Sequence, residues 1–567
     1  MKPRFFRALC IAVVGLASAV VVFLSISYIL SPLLLWLSPS LNPTLYDWGA
    51  YGACPLQSFV TTDLVAPRVN TRRTHPDCGR GLVLLTINGD SAGPKGPAIL
   101  DARNELVWKS QGYGSATNLQ VQHYKGQNYL TFWAGRKVGT KGTGMYYMLD
   151  STYNEAHRVM AVGDGMEGDL HEFKITKDDT ALLTVYATTK ADLSSWGRFS
   201  DGWLLDSLFQ EVDIATGELL FEWRASEHFN FRDTYMTNPF GGYIKSLPFD
   251  FFHINSVDKD SQGNYLISSR HTHTITCINP KGNILWVLGG RRNQFTDLSG
   301  GAALDFKWQH DARWVSEEDG IISLFDNKEA GPLHADGPHS RGMMLQLDIS
   351  HHTVELLHTY ESLGHTRAPS QGSMQVLQDT DHVFVGFGHS PIYSEFSVNG
   401  SLLCEHHFGS PIFHPWNRAV SYRASKRYDW VGRPTYPPSA EIEDDTLYVS
   451  WNGATEVSAW LLQGAKSAED EDAFNDLDVL EKDTFEETFE LGDLYEYSYF
   501  RVVALTQDGQ VLGQSAVLVY EPDWDWWMFG VAIVAWLVIV RVGWHCYKWL
   551  ARRRTTSQVA WISLERQ

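Results

Sequence analysis

Three histidines each open a strand-like segment that runs into a charged turn: His171 in "DLHEFKITKDDTALLTVY", His253 in "FFHINSVDKDSQGNYLISSRH" and His310 in "WQHDARWVSEEDGIISLFDN". Matching positions in successive repeats bring three imidazoles to one rim. Hairpin pairing adds a cation. Counted about the turn at Ser261–Gln262, His253 lies opposite Arg270, because the first and last residues of a hairpin sit side by side at its open end. Asn255 shares that end, as do His271 and His273 of "SSRHTH". One buried histidine is usually a hydrogen-bonded structural residue; three at one repeat position beside an arginine form a site.

Two chemistries suit the set. Imidazoles bind zinc or copper, but such sites usually include a carboxylate or thiolate, and a guanidinium repels the ion. The other is an oxyanion held by arginine with imidazolium support. There a neutral histidine can attack and form a covalent N-linked intermediate. Arginine without an obvious metal carboxylate favours the oxyanion, and no metal is expected.

The elements that position these residues are strands. From about residue 81 to 435, short β-branched and aromatic runs alternate with Gly/Asp/Asn turns, an all-β signal. Six hairpins recur, "AILDARNELVWK", "YMLDSTYNEAHRV", "QEVDIATGELLFEW", "TCINPKGNILWVLGG", "LQLDISHHTVELLH" and "EFSVNGSLLCEHHF", with turns roughly 50 to 70 residues apart. Between them fall the three His-led hairpins, "NLQVQHYKGQNYLTFWAG" and "GSMQVLQDTDHVFVGFGH". Four strands per repeat is the plan of a β-propeller, here six-bladed. Only five inner hairpins are evident, so the ring is expected to close with strands from its two ends. After "YDWVGRPTYPPS", residues 440–520 alternate as a fibronectin type III/Ig-like β-sandwich, a spacer toward the C-terminus.

Both ends are apolar. Ala8–Leu37 carries no charged residue and is long enough for a bilayer crossing, which needs about 20 residues, or for a signal segment. A second run, 524–550, begins with Trp524, Trp526 and Trp527 and meets Arg552, Arg553 and Arg554 in the basic tail 551–567. Transmembrane helices are expected at both ends, with both termini cytoplasmic by the positive-inside rule. That leaves the irregular segment 38–80 and the β domains lumenal or extracellular. The sequon Asn399-Gly400-Ser401 fits that side.

Cys54 and Cys78 flank an irregular stretch and are expected to form a disulfide there; Cys277 and Cys404 lie in strand-like runs and are expected as buried thiols. The net charge of −20 excludes nucleic acid as a partner. "GDSAGPKG" lacks the Gly-Lys-Ser/Thr ending of a phosphate loop and reads as a turn-rich loop.

The order and spacing of "FHINS", "ISSRHTHTI", "FKWQHDARW", "SQGSMQV" and "SEFSVNG" resemble the arylsulfotransferase (arylsulfate sulfotransferase) family, closest to its eukaryotic, largely fungal, branch. The resemblance spans about 80 to 435, and the sandwich is similar to that branch's usual tail. It implies a propeller enzyme that moves a sulfuryl group from a small aromatic sulfate to a phenol through a sulfohistidine, with no nucleotide sulfate donor and no cofactor. It implies His310 as nucleophile, His253 and Arg270 as holders of the sulfuryl oxygens, and His171 completing the pocket. Asn255 and His271 would line the substrate. Two membrane runs and the sandwich depart from bacterial members. A non-catalytic lumenal propeller that binds an anionic ligand or a protein partner is the alternative.

Overall fold

The computed structural model describes residues 3–37, 40–238, 240–331, 337–378, 380–467, 473–521, 533–545 and 548. Alternating apolar and polar residues favour strands, and strands need partners at their edges. The six predicted hairpins all form, from Gly96–Leu100 with Leu106–Lys109 to Ile392–Ser397 with Leu402–His407. Each belongs to an antiparallel sheet whose first strand can be named in chain order: β1 (Ala116–Tyr124), β2 (Gly168–Ile175), β3 (Ile254–Lys259), β4 (His310–Ser316), β5 (Ser373–Leu377) and β6 (Ala424–Arg427). β1 lies beside β2, β2 beside β3, and so on through β6, which lies beside β1 again. The sheets of β1 and β2 are joined where Gly168 pairs with Gly144.

Ends of the chain complete this ring. β6 pairs with Leu82–Ile87, so one sheet takes strands from both sides of the sequence. Asn70–Arg73 likewise adds to Leu402–His407. Apolar faces of adjacent sheets supply the core between them: Leu266, Ile275 and Trp286 pack with Ile322, Leu324 and Met343. Each such side chain contributes about 1.5–3 kcal/mol on burial. Ser439–Glu443, Thr446–Ser450 and Glu486–Glu490 form a separate three-stranded sheet. It shares a core of Leu447, Trp460 and Phe500 with a second sheet built on Ala459–Ala465 and Tyr499–Leu505.

The cysteine expectations are corrected. Cys78 is bonded to Cys404, not Cys54, so Cys404 is no free thiol. Pairing of Asn70–Arg73 with Leu402–His407 carries Cys78 to that strand, while Cys54 stays buried and donates to the Phe408 carbonyl. Burial pushes the Cys54 thiol up to about 12, so it stays protonated. Cys277 is a buried free thiol as expected.

The expected transmembrane helices fall at the two ends. Among the described residues no helix is long and apolar enough to cross a membrane. Helix Pro3–Ser25 has Arg4 and Arg7 in its first turns and gives way to a π turn at Ile26–Leu30 before Ser31–Trp36. In the second run only 533–545 and 548 are described as helix; the aromatic cluster Trp524, Trp526 and Trp527 and the basic tail lie outside the described residues.

Candidate active site

Four of the six first strands are bulged near their start: β1 between Thr117 and Gln120, β2 between Gly168 and Phe173, β3 between Ile254 and Ser256, and β4 between His310 and Arg313. A bulge re-aims side chains and so breaks the simple alternation of faces. Left-handed backbone at Asn118, His253, Asp311 and Gln371 marks the same rim. Such conformations cost on the order of 1–3 kcal/mol each and persist where surrounding structure enforces them.

The rim gathers the predicted residues. His171, His253, His271 and His310 are buried, as is Arg270. The His171 ring lies 4.7 Å from that of His253, which stacks on His271 at 4.5 Å. Tyr186 lies beside His171 and His253. Tyr422, just before β6, stands between His171 and His310 at 5.6 and 6.3 Å. The hairpin register holds, since the Arg270 amide donates to the His253 carbonyl at 2.9 Å.

Hydrogen bonds assign the tautomers. Asn327 donates its amide to the carbonyls of Ala368 and Gln371 at 2.7 and 2.9 Å, which turns its Oδ1 toward His310. His310 Nδ1 must therefore donate to Asn327, at 2.7 Å. Its Nε2 keeps a lone pair, which among the described residues meets the Gln371 amide at 3.2 Å. Burial first, then the charge of Arg270, holds the His310 pKa well below the usual value. His310 is thus a neutral imidazole with a nucleophilic nitrogen.

The other histidines are held from behind. His171 Nδ1 bonds to the Asp169 carboxylate, and His253 Nδ1 to Asp250 at 2.7 Å. His271 Nδ1 donates to the Asp250 carbonyl at 2.8 Å, leaving Nε2 to accept from Arg270 at 3.0 Å. Arg270 also donates to the Pro369 carbonyl at 2.8 Å and stacks on Trp308. Burial lowers its pKa to about 10, so it stays charged at neutral pH.

Among the described residues, buried polar atoms here without a hydrogen-bond partner include Arg270 Nε, Tyr422 Oη, Asn255 Oδ1, Asp250 Oδ1 and Gln371 Oε1. Buried polar groups are rarely left so, and a cluster of them marks a ligand position. The Asn255 amide donates to the Gln309 carbonyl at 2.6 Å.

Asp250, His253 and His271 bring three possible metal donors within 4.8 Å of one another. Charge argues against a cation there, because the charged Arg270 guanidinium lies against the His271 ring, at 3.0 Å from its Nε2.

One residue deeper, charges bind the strands together. Glu172 pairs with Arg313 at 2.5 Å and Arg423 at 3.0 Å, and Asp311 pairs with both arginines. Arg423 also reaches Asn118 and the Asn255 carbonyl, and Asp311 accepts from the Met374 amide. The layer thus spans from β1 through β5 and the lead-in to β6. Burial raises the Glu172 pKa, but Arg313 and Arg423 outweigh it and hold it at about 2. Beyond this layer a cavity of about 230 Å³, lined by Lys174, Trp314 and Gln375, contains none of the site histidines.

Sequence reasoning finds His171, His253, Arg270, His271 and His310, and the fold brings all five together. It misses Asp169, Asp250, Asn327, Tyr186, Tyr422 and the ion-pair layer. Asp169 and Asp250 had a signal, standing two and three residues before their histidines in "DLH" and "DFFH". Asn327 and Tyr422 carry none.

Burial first keeps His253, His271 and His310 neutral in the fold. The unfolded chain gains their protons near pH 6.5, so it binds more protons than the fold below that pH. Stability is therefore expected to fall on acidification from about pH 6.5, by up to about 1.4 kcal/mol per pH unit for each histidine. Thermal melts between pH 7 and 5 check this. A slope unchanged by His310→Asn would refute the contribution of His310.

The family model described as "Arylsulfotransferase (ASST)" matches residues 120–409, more than half of the chain. The match contains the site histidines, Arg270 and Asn327, and ends before Tyr422. No curated protein matches the chain. Solved structures with loose likeness include a Bacteroides caccae protein of unknown function (14% identity, TM-score 0.35, 62% of this chain and 100% of that one). Others are the Pseudomonas aeruginosa periplasmic gluconolactonase PpgL (11%, 0.33, 78% and 98%) and Saccharomyces cerevisiae Sqt1 (13%, 0.30, 68% and 95%).

Proposed function

The chain belongs to the arylsulfotransferase family, and on that premise we propose that it moves a sulfuryl group from an aryl sulfate ester to a phenolic acceptor through a sulfohistidine at His310, without a nucleotide sulfate donor. His310 Nε2 attacks sulfur as the S–O bond to the aryl group breaks and the phenolate leaves. The acceptor oxygen then attacks the same sulfur, the N–S bond breaks, and His310 regains its lone pair. The imidazole of His171, backed by Asp169, gives a proton to the departing oxygen and takes one from the acceptor. Such proton transfer is worth about 10²- to 10⁴-fold. Arg270 and His253 hold the sulfuryl oxygens, where charge is spread as in phosphoryl transfer. Asn255 and His271 complete the lining.

The observation that carries this reading is the fixed tautomer of His310 beside an unpaired donor of Arg270. A chromogenic aryl sulfate with a phenol acceptor tests it: transfer is expected, and its absence across a broad donor panel, with sulfate still bound, would leave an anion-binding module. Asn327→Leu is expected to lower kcat about 10- to 100-fold by freeing the tautomer. Asn327→Asp raises the proton affinity of His310, so the acid limb of the kcat profile moves to higher pH. An unchanged profile would remove Asn327 from the mechanism.

We read the ring of residues 81–435 as a six-bladed β-propeller and 440–520 as a fibronectin type III/Ig-like sandwich; the cyclic order of β1–β6 supports the first. We also propose membrane anchoring, with the β domains lumenal or extracellular. Support comes from uncovered apolar side chains such as Val14, Leu16 and Val21, from the Cys78–Cys404 disulfide, and from the exposed turn at Asn399. Alkaline carbonate extraction checks this, since release into the supernatant is the outcome that excludes an anchor.

A further inference from the structure

Away from the active site, His339 precedes strand Arg341–Asp348 and Glu361 follows its partner Thr353–Tyr360. Gly342 pairs with Tyr360, so the two flanking residues meet at one end of the hairpin. A turn brings His365 back to them: its amide donates to the Ser362 carbonyl at 3.0 Å, and its backbone is left-handed. His339 Nε2 and His365 Nδ1 then face the same Glu361 oxygen, at 2.9 and 3.2 Å. The two rings stand 4.7 Å apart. All three donor atoms lie within 4.8 Å of one another.

These separations suit a metal ion. Zinc sits about 2.0–2.2 Å from imidazole nitrogen and carboxylate oxygen, so donors sharing one ion lie roughly 2.9–3.4 Å apart for bond angles between square and tetrahedral. Without an ion, both rings must carry a proton toward one oxygen. With an ion, two lone pairs and one carboxylate meet a single cation, and imidazole with carboxylate suits zinc and its neighbours in the first transition row. The cluster is open on the His365 side, which is 65% exposed, so an ion can enter and keep water. The neighbouring guanidinium of Arg367 is committed to the Pro338 carbonyl and to Glu329. This contrasts with the buried Asp250, His253 and His271 group, where the Arg270 guanidinium is bonded to His271.

We propose that His339, Glu361 and His365 form a site for one divalent transition-metal ion, and that its occupancy fastens the loop that holds the active-site arginine and histidine. The link is covalent and short. Thr366 accepts from the Ser340 amide, and Ser340 Oγ accepts from the Ala368 amide. The Ala368, Pro369 and Gln371 carbonyls hold Asn327 and Arg270, and the Gln371 amide meets His310. A metal joining His339 to Glu361 and His365 ties both ends of that arrangement.

The test uses the full chain, stripped with chelator and titrated with zinc chloride. About one equivalent is expected to bind, with cobalt giving a visible-range absorption band. Binding should weaken at least about 10-fold in Glu361→Gln and in His365→Asn, and disappear in the double variant of His339→Asn with His365→Asn. It should persist in His253→Ala. Hydrogen exchange at 366–371 should slow several-fold with zinc in the wild type only. Circular dichroism without metal confirms that each variant is folded, and the exposed His365→Asn alone decides the matter if the double variant is not. No stoichiometric binding overturns the site, as does binding lost in His253→Ala and kept in the surface variants. Binding without slower exchange overturns the fastening.

Discussion

Replacing His310 by asparagine is expected to cut sulfuryl transfer by at least about 10³-fold, because it removes the imidazole nitrogen whose lone pair the Asn327 contact fixes. The same variant should carry no label when the wild type is trapped with a labelled aryl sulfate and digested for mapping. Asparagine keeps a short polar group beside Asn327, so the loss should be in chemistry rather than in folding, and the melting temperature should move by only a few degrees. Label found on His171 or His253 would transfer the nucleophilic role to that residue. Full activity in His310→Asn would remove the covalent mechanism altogether.

Glu172→Gln is expected to destabilise the protein by about 3–5 kcal/mol, the usual cost of removing one partner from a buried ion pair. It leaves Arg313 and Arg423 sharing the Asp311 carboxylate without Glu172. The pH dependence gives an independent figure. Held at about 2 against an ordinary 4.5, the Glu172 carboxylate contributes stability that is fully present above pH 4.5 and lost as pH falls toward 2. That difference corresponds to about 3 kcal/mol, in line with the cost of substitution. Urea unfolding at neutral pH measures the first quantity, and acid melts measure the second. A variant as stable as wild type would mean that the layer is dispensable; an acid loss that survives in Glu172→Gln would assign it to other carboxylates.

The two predictions act on neighbouring residues of the same strands, which shows how far the sequence could be read. Residues 171 and 172, like 310 and 311, both serve the ring interior, one in the site and one in the ion-pair layer. Strict alternation would send Glu172 and Asp311 to the opposite face, and the bulges in β2 and β4 are what re-aim them. Nothing in the local pattern announces a bulge, so the layer was not legible.

Local pairing was legible because a hairpin's partners are near in sequence and fixed by its turn. The sequence by itself determined the repeated hairpins, the three strand-opening histidines, the place of Arg270 opposite His253, and the need for strands from both ends. Ring closure decided the rest. It set Cys78 on Cys404 across 326 residues, where sequence proximity pointed to Cys54. It set Tyr422 beside His171, and Asn327 between His310 and a loop from the next sheet. These contacts join residues tens to hundreds of positions apart, and their distances follow from how sheets pack around a centre rather than from the periodicity of any one strand.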